Sequence, residues 1–248
     1  MKFPYKIMAL SSALLVATLP NVQAAESSIP VEFTGSVALT TDYVFRGISL
    51  SDEDLAIQGE FDATHASGAY IGTWASNVSN MPDGGSLELD VYAGYAGEMN
   101  GFGYDVFATR FIYPGTGKGT TTKDHQYNDY HEFSLALSYS LPIGTEFGVR
   151  YDYAPHWFGK DTGKADNYLF TVGHELPMGI SFGASIGRQD FREEIAGTDY
   201  SYFGANVAYS INDFTLALNF SNSNLKDANG NDQEDADERV FFTLSKEF

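Results

Sequence analysis

FSLALSYSL, residues 133–141, carries large side chains at every second position and small ones between them. Phe133, Leu135, Leu137, Tyr139 and Leu141 alternate with Ser134, Ala136, Ser138 and Ser140. Because successive side chains of a β-strand point to opposite faces, this pattern predicts a strand with one apolar face. The same alternation recurs over 87–95, 214–221 and, near the N-terminus, 36–46. The sequence therefore predicts an all-β protein.

The alternating segments have the length of a tilted strand that crosses a membrane, about ten residues. We predict about twelve such strands, at residues 33–46, 54–65, 69–78, 86–97, 101–113, 129–141, 144–157, 166–176, 179–190, 199–210, 213–224 and 238–248. The connections alternate between tight turns and long polar segments. This organisation is typical of an antiparallel transmembrane β-barrel with short periplasmic turns and long extracellular loops.

A soluble β-sandwich would show the same alternation, but its polar face meets bulk water and carries long charged side chains. Here the polar faces are rich in Ser, Ala, Gly, Thr and Asn, which suit a narrow lumen. Aromatic residues also gather near the predicted strand ends, as in the interfacial girdles of a barrel. They are Tyr43, Phe45, Tyr151, Tyr153, Trp157, Tyr200 and Tyr202. Both features favour the barrel.

The C-terminal segment VFFTLSKEF, residues 240–248, is the predicted closing strand. If it pairs with the first strand, no open edge is left in the hydrocarbon of the membrane. An apolar strand that ends on Phe also resembles the signal read by the barrel-assembly machinery, with Phe242, Leu244 and Phe248 as its residues. Lys246 falls on the same outward face, where a lysine can extend to the interface. The alternative interpretation is a simple buried edge strand.

Residues 1–24 have the pattern of a secretory signal peptide. Two lysines precede an apolar run, and Val22 and Ala24 stand at the spacing that a signal peptidase reads. A membrane anchor is the weaker alternative, because a spanning helix needs about 20 apolar residues and this run is shorter. We predict that residues 25–248 form one domain in the outer membrane of a Gram-negative bacterium, in contact with lipids and lipopolysaccharide.

Composition excludes several classes of function. A formal net charge of -19 with 14 Lys and Arg argues against nucleic-acid binding, because phosphate backbones attract clustered basic residues. The chain has no cysteine, so it has neither disulfides nor thiolate metal sites. The acidic segment 227–238 resembles a calcium loop, but its glycine comes too early and a solvated loop is favoured. We expect no cofactor and no metal.

The lining of the predicted barrel decides what it can do. Eight strands leave an interior filled by side chains and sixteen or more leave a wide channel, so about twelve strands predict a narrow pore. Strand phase places carboxylates and two arginines toward the lumen: Asp42, Arg46, Glu60, Asp62, Glu88, Asp90, Glu146, Arg150 and Asp152. We predict a channel for passive diffusion of small solutes that prefers cations. Mutual neutralisation of Asp42 with Arg46, and of Arg150 with Asp152, is the simpler interpretation of those pairs.

Two other functions stay open. The bulky inward residues Tyr92, Phe107 and Phe111 would plug a narrow lumen, and a plugged barrel would be a structural or adhesin-like surface protein. An outer-membrane lipid hydrolase would need a His and a Ser two residues apart on a strand. His65 and Ser67 have this spacing but stand in a predicted turn. We therefore expect no enzymatic activity.

Several blocks of the sequence together resemble a known family. LTTDYVFRGISLSD, residues 39–52, followed in order by AIQGEFD, GTWASNV, ELDVYAGYAGE, FIYPG and VFFTLSKEF, is similar to the TorF family of porin-like bacterial proteins. The likeness covers nearly the whole chain after residue 24. Its most specific part is the run of Asp42, Tyr43, Val44, Phe45, Arg46 and Gly47. The resemblance implies an outer-membrane β-barrel that acts as a channel, without a defined substrate.

Overall fold

The computed structural model describes residues 30–79, 85–116, 128–159, 162–193, 197–226 and 233–248. The predicted signal peptide, residues 1–24, lies outside these ranges, as does the first part of the acidic segment, 227–232. None of the helices in the described part of the chain is long and apolar enough to span a membrane.

Fourteen strands account for most of the described chain. They are β1 (Val31–Thr40), β2 (Val44–Phe45), β3 (Ile48–Ser49), β4 (Ala56–His65), β5 (Ala69–Asn77), β6 (Leu87–Met99), β7 (Phe102–Ile112), β8 (Tyr130–Ser140), β9 (Thr145–Ala154), β10 (Ala165–Glu175), β11 (Ile180–Phe191), β12 (Tyr200–Ile211), β13 (Phe214–Ser223) and β14 (Arg239–Glu247). All except β2 and β3 form one closed antiparallel barrel of twelve strands, in which each strand pairs with the next along the chain and β14 pairs with β1. The predicted fold class is confirmed.

The two ends of the barrel differ in their connections. We call the end that holds the start of β1 and the end of β14 the proximal end, and the opposite one the distal end. Proximal connections are residues 66–68, 100–101, 141–144, 176–179 and 212–213, and distal connections are 41–55, 78–86, 113–129, 155–164, 192–199 and 224–238. Asn100 and Gly101, like Asn212, adopt positive φ in proximal turns, which Asn and Gly tolerate best.

The C-terminal strand closes the barrel as predicted. Ser36 pairs with Glu247 and Thr40 with Thr243, so the last strand lies antiparallel to the first. Beyond the strand, the amide N–H of Phe248 donates to the carbonyl of Gly35, and the carbonyl of Phe248 accepts from the amide N–H of Gly35, both at 3.0 Å. A Cβ at Gly35 would lie 2.8 Å from the Phe248 ring, so glycine lets this ring pack flat on β1. The ladder is thus continuous around the barrel.

The outward face of the barrel is apolar between two charged rims. Phe61, Val106 and Phe242 are each half exposed or more, and every strand of the barrel carries large apolar side chains that are at least 44% exposed. Ion pairs on this face lie near the ends: Arg188 with Asp190 at the distal rim, and Lys246 with Asp213 at the proximal rim. An apolar belt of this extent is the surface of a barrel that spans a membrane.

The predicted C-terminal end of the first strand, residue 46, is wrong. The strand ends at Thr40, and the chain then leaves the barrel wall. Tyr43 and Phe45 therefore do not belong to an outward aromatic girdle but are buried inside. The prediction failed because the alternation continues past Thr40 into a second, shorter strand pair.

Three more predicted girdle residues point into the barrel. Trp157, Tyr200 and Tyr202 are all buried, with 9%, 2% and 8% of their surface exposed. Tyr151 does face outward, where its ring lies 5.3 Å from that of Tyr168. Aromatic residues near strand ends were assigned by position along the chain, and position does not distinguish the lipid side from the lumen.

Candidate functional site: a hairpin inside the barrel

The distal connection after β1, residues 41–55, folds into the barrel and forms a small β-hairpin there. Phe45 pairs with Ile48 across β2 and β3, and the two residues between them make the turn. Arg46 and Gly47 both have positive φ, 50° and 83°, as the central residues of a type I′ turn require. We call residues 42–51 the inner hairpin. It contains the run that carries the family resemblance.

Asp42 anchors the base of the inner hairpin. Its Oδ1 accepts hydrogen bonds from the hydroxyls of Ser49, at 2.6 Å, and Ser51, at 3.1 Å. Its Oδ2 accepts a hydrogen bond of 3.1 Å from Nη1 of Arg239 on β14. The predicted neutralisation of Asp42 by Arg46 is therefore wrong, because a different arginine pairs with this carboxylate.

Arg46, at the tip of the inner hairpin, crosses the lumen. Its Nη2 donates to Oε1 of Glu132 on β8 at 2.6 Å and to Oδ2 of Asp152 on β9 at 3.1 Å. Its Nη1 donates to Oε1 of Gln189 on β11 at 3.0 Å. Since β9 lies six strands from β1 in either direction around the barrel, the hairpin reaches from one wall to the opposite one.

A second arginine completes this charge cluster. Nε of Arg150 donates to Oδ1 of Asp152 at 2.6 Å, which confirms the predicted pair, and its Nη2 lies 3.7 Å from Glu132 Oε1. Burial alone would lower the pKa of Arg46, but the two carboxylates outweigh burial and raise it. Arg46 thus stays a cation, and two arginines balance two carboxylates.

Aromatic rings surround the tip of the inner hairpin. The Phe45 ring packs edge-on against Phe111 at 6.2 Å, and Phe111 stacks on Tyr130 at 4.4 Å with an interplanar angle of 6°. The guanidinium of Arg46 lies 5.4 Å from the Trp157 ring, within the range of a cation–π contact. Phe111, one of the residues predicted to plug the lumen, therefore packs directly against the hairpin.

On its other side, the inner hairpin packs closely against the wall formed by β12 and β13. A Cβ at Gly47 would lie 2.7 Å from Cβ of Tyr202 and 2.9 Å from Cβ of Ser223, so only glycine fits this contact. A cavity of about 40 Å³ remains between the hairpin and this wall, next to Gly204 and Asn219. This is room for a few water molecules.

The structure places the other predicted lining residues on the inner face as well. The hydroxyl of Tyr92 lies within hydrogen-bond distance of both Oε1 of Glu60, at 2.8 Å, and Oδ1 of Asp62, at 2.7 Å. Glu88 and Asp90 are inside too, each 1% exposed. Glu146 lies nearer the proximal end and accepts a hydrogen bond from Ser140. That these side chains line a conducting path stays a prediction.

These acidic residues differ in their partners. Glu132 and Asp152 lie in ion pairs with arginines. By contrast, no Arg or Lys of the described residues lies within ion-pair distance of Glu60, Asp62, Glu88 or Asp90. The inner face therefore has a neutralised cluster on β8 and β9 and an uncompensated acidic wall on β4 and β6.

A family model for bacterial proteins of unknown function, Gcw_chp, matches residues 24–248. The chain belongs to the Gcw_chp family. The match is to a bacterial family without an assigned function and does not carry the name TorF, so that narrower likeness stays a prediction. No curated protein matches the sequence of the chain.

Solved structures share the fold of this Gcw_chp chain at low sequence identity. The KdgM porin superimposes with a TM-score of 0.58 at 8% identity, over 87% of this chain and 98% of its own. The NanC porin gives a TM-score of 0.56 at 10% identity, over 86% of this chain and 98% of its own. At such identities the likeness concerns the architecture of the barrel.

The distal mouth of this Gcw_chp barrel holds a larger cavity of about 320 Å³. Phe45, Ile48 and Leu50 of the inner hairpin form its floor, and Trp157 and Tyr200 form part of its side. The inner hairpin therefore borders this distal cavity.

His65 and Ser67 lie together in a proximal turn. The imidazole Nδ1 of His65 is 2.8 Å from the Ser67 hydroxyl, and it also accepts the backbone amide of Ser67 at 3.1 Å. The hydroxyl accepts the amide of Ala69 at 3.4 Å. These contacts close the turn, and in the described chain no carboxylate holds the other ring nitrogen, as a catalytic triad would require.

Sequence reasoning missed two residues of the site, Gln189 and Arg239. Both lie at the distal ends of their strands and hold the inner hairpin. Strand phase was a usable signal, because the large outward residues Phe182 and Phe242 put both positions on the inner face. Their role was not accessible, because the sequence does not show that residues 42–51 turn inward.

Proposed function

We propose that this protein is an outer-membrane channel for passive diffusion of small solutes, narrowed by the inner hairpin. The observation that carries the proposal is a closed barrel with an apolar outer belt and an inner face of carboxylates and small polar residues. Membrane barrels with side-chain-lined lumens of this kind pass solutes through the interior. The two solved porins with the same architecture support the proposal.

The path of the solute runs between the inner hairpin and the wall of β11 to β14. Many inward residues of this wall are small, although Tyr200, Tyr202 and Phe241 also point inward. The small ones are Gly183, Ser185, Gly187, Gly204, Asn206, Ala208, Ala217, Asn219 and Ser221. The bulky inward residues Tyr92, Phe107 and Phe111 all belong to β6 and β7. The small residues border the cavity of about 40 Å³ beside the inner hairpin, and this is where we place the narrow passage.

Cation preference follows from the uncompensated acidic wall. Arg46 and Arg150 are neutralised by Glu132 and Asp152, so they add little positive potential to the lumen. Glu60 and Asp62 have no such partner among the described residues, and carboxylates that line a pore attract cations and repel anions. We propose that small cations pass more readily than anions of similar size.

The test is the reversal potential of single channels in a planar bilayer under a salt gradient. Wild-type protein should give a cation-selective reversal potential, and Glu60→Gln with Asp62→Asn should reduce that selectivity. Asp213→Asn is the matched control, because it removes a carboxylate that is paired with Lys246 outside the lumen. An anion-selective channel, or a double variant as selective as wild type, would refute the cation preference.

A second candidate function, a structural or surface-binding barrel without an open pore, has its own support. The inner hairpin crosses the lumen, and aromatic rings fill the space around its tip. A correctly folded, heat-modifiable barrel that shows no conductance would favour this candidate over the channel.

We also propose that the C-terminal strand is read by the barrel-assembly machinery. Phe242, Leu244 and Phe248 all face outward on β14 or directly after it, with 53%, 44% and 64% of their surface exposed. Deleting Phe248 should lower the amount of heat-modifiable protein in the outer-membrane fraction of expressing cells. Unchanged assembly of that variant would contradict the proposal.

A further inference from the structure

Five buried side-chain atoms of the described chain have no hydrogen-bond partner, and four of them lie on three adjacent strands. They are Oε2 of Glu88 and Oδ1 of Asp90 on β6, Oγ1 of Thr109 on β7 and Oη of Tyr130 on β8. All four are oxygens. Orphaned polar atoms are rare in folded proteins and usually mark a water or an ion.

Strand register places the four residues at neighbouring positions on the inner face. Asp90 pairs across the sheet with Phe111, and Phe111 pairs with Tyr130, so the three side chains form one row on the inner face. Thr109 stands two residues from Phe111 and is the diagonal neighbour of Asp90. Glu88 is the next inward residue on β6, and Tyr130 interacts electrostatically with both carboxylates.

The two carboxylates are buried without a positive partner. Glu88 and Asp90 are each 1% exposed. The carboxylate of Glu88 accepts a hydrogen bond of 3.1 Å from the hydroxyl of Tyr113 and interacts with the hydroxyl of Tyr43 as well. Within the described residues no Arg or Lys comes within 4 Å of either carboxylate, whereas Glu132 and Asp152 nearby are bound by arginines. A buried carboxyl group without a cationic side chain is either neutral or coordinates a metal.

We propose that Glu88 and Asp90 bind a hard cation on the inner wall of the barrel, with Thr109 and Tyr130 lending hydroxyl oxygens. Calcium and similar ions take carboxylate and neutral oxygen ligands. In the described part of the chain no three His, Cys, Asp or Glu side chains are placed to enclose a metal, so water supplies the remaining ligands. The site needs no solute flow and does not rest on the proposed channel.

Terbium luminescence tests this site directly. Tb³⁺ binds where Ca²⁺ binds and emits when a nearby tyrosine is excited, and Tyr43, Tyr113 and Tyr130 all interact with Glu88. Refolded wild-type protein in detergent should give sensitised emission that Ca²⁺ displaces. Glu88→Gln with Asp90→Asn should weaken Tb³⁺ binding about tenfold or more.

Glu146→Gln is the matched control, because Glu146 is an inner-face carboxylate near the proximal end, bonded to Ser140. This variant should bind Tb³⁺ as wild type does. Two results would overturn the proposal: no sensitised emission from wild-type protein, or equal emission from the double variant. Absence of emission from wild-type protein would mean that Glu88 and Asp90 are neutral and bind no ion. Equal emission from the double variant would mean that Tb³⁺ binds to other acidic residues on the surface. Absence of wild-type emission refutes the site whether or not the double variant folds.

Discussion

The acidic residues of the inner face fall into two groups, which differ in whether an arginine pairs with the carboxylate. Glu132 and Asp152 on β8 and β9 are bound by Arg46 and Arg150 at distances of 2.6–3.7 Å. The wall of β4 and β6 carries Glu60, Asp62, Glu88 and Asp90 without an Arg or Lys partner among the described residues. Carboxylates of the first group fix the inner hairpin. Those of the second have no such cationic partner in the described part of the chain.

Removing Arg46 should break the neutralised cluster most severely. Arg46→Ala leaves Glu132 buried with only the longer contact to Arg150, and loss of one partner of a buried ion pair costs about 3–5 kcal/mol. We expect the free energy of unfolding in urea to fall by this amount. Arg110→Ala is the control, because Arg110 is 37% exposed on the outward face. An equal loss of unfolding free energy in both variants would show that the charge cluster stabilises the barrel no more than an exposed ion pair does.

Gly47→Ala changes the inner hairpin without touching a charge. The new Cβ would meet Cβ atoms of Tyr202 and Ser223 closer than 3.0 Å, at a residue with φ of 83°. Strain and overpacking together should lower the free energy of unfolding by about 2–4 kcal/mol. Gly59→Ala should have little effect, because its Cβ would meet only a carbonyl oxygen at 3.8 Å. A stable Gly47→Ala barrel would contradict the close contact.

The same chemical change in each group compares them directly. Glu132→Gln removes a charge-assisted hydrogen bond to Arg46 and should cost about 1.5–3 kcal/mol of unfolding free energy. Asp62→Asn keeps an oxygen that accepts from Tyr92 and removes no ion pair, so we expect a change below about 1 kcal/mol. Urea unfolding of both variants measures the difference. A larger loss for Asp62→Asn would reverse the distinction between the two groups.

Lys246→Gln should have the smallest effect. Nζ of Lys246 lies 3.7 Å from Asp213, and both side chains are more than a third exposed at the proximal rim. Pairs of this kind contribute about 0.2–1 kcal/mol, less at high salt. Unfolding at low and high salt concentration would show this dependence. A salt-independent loss of several kcal/mol would mean that position 246 matters to the barrel for another reason.

The barrel wall could be predicted from the sequence because every strand follows the same rule, in which large apolar side chains alternate with small polar ones. Large apolar side chains face outward, and small polar ones face the narrow lumen, as along Tyr130–Ser140. Each of the twelve predicted segments corresponds to one strand of the barrel. The phase of the strands also placed Glu60, Asp62, Glu88 and Asp90 on the inner face correctly.

The inner hairpin could not be predicted, because alternation does not tell what each face meets. Tyr43 and Phe45 continue the pattern of β1 but face protein instead of lipid. The partners that hold Asp42 and Arg46 to the barrel wall are 86 to 197 residues away in sequence, on β8, β9, β11 and β14. Local pairing at a spacing of four was the only arrangement that the sequence could suggest. The structure replaced it with contacts across the barrel.

Single-channel conductance of wild type and Arg46→Ala, recorded in the same salt in planar bilayers, tests directly whether the inner hairpin narrows the barrel. With Arg46 holding the hairpin to β8, β9 and β11, we expect the variant to conduct more than wild type. Arg110→Ala should conduct as wild type does. Equal conductance in all three proteins would contradict the role of the hairpin as the constriction.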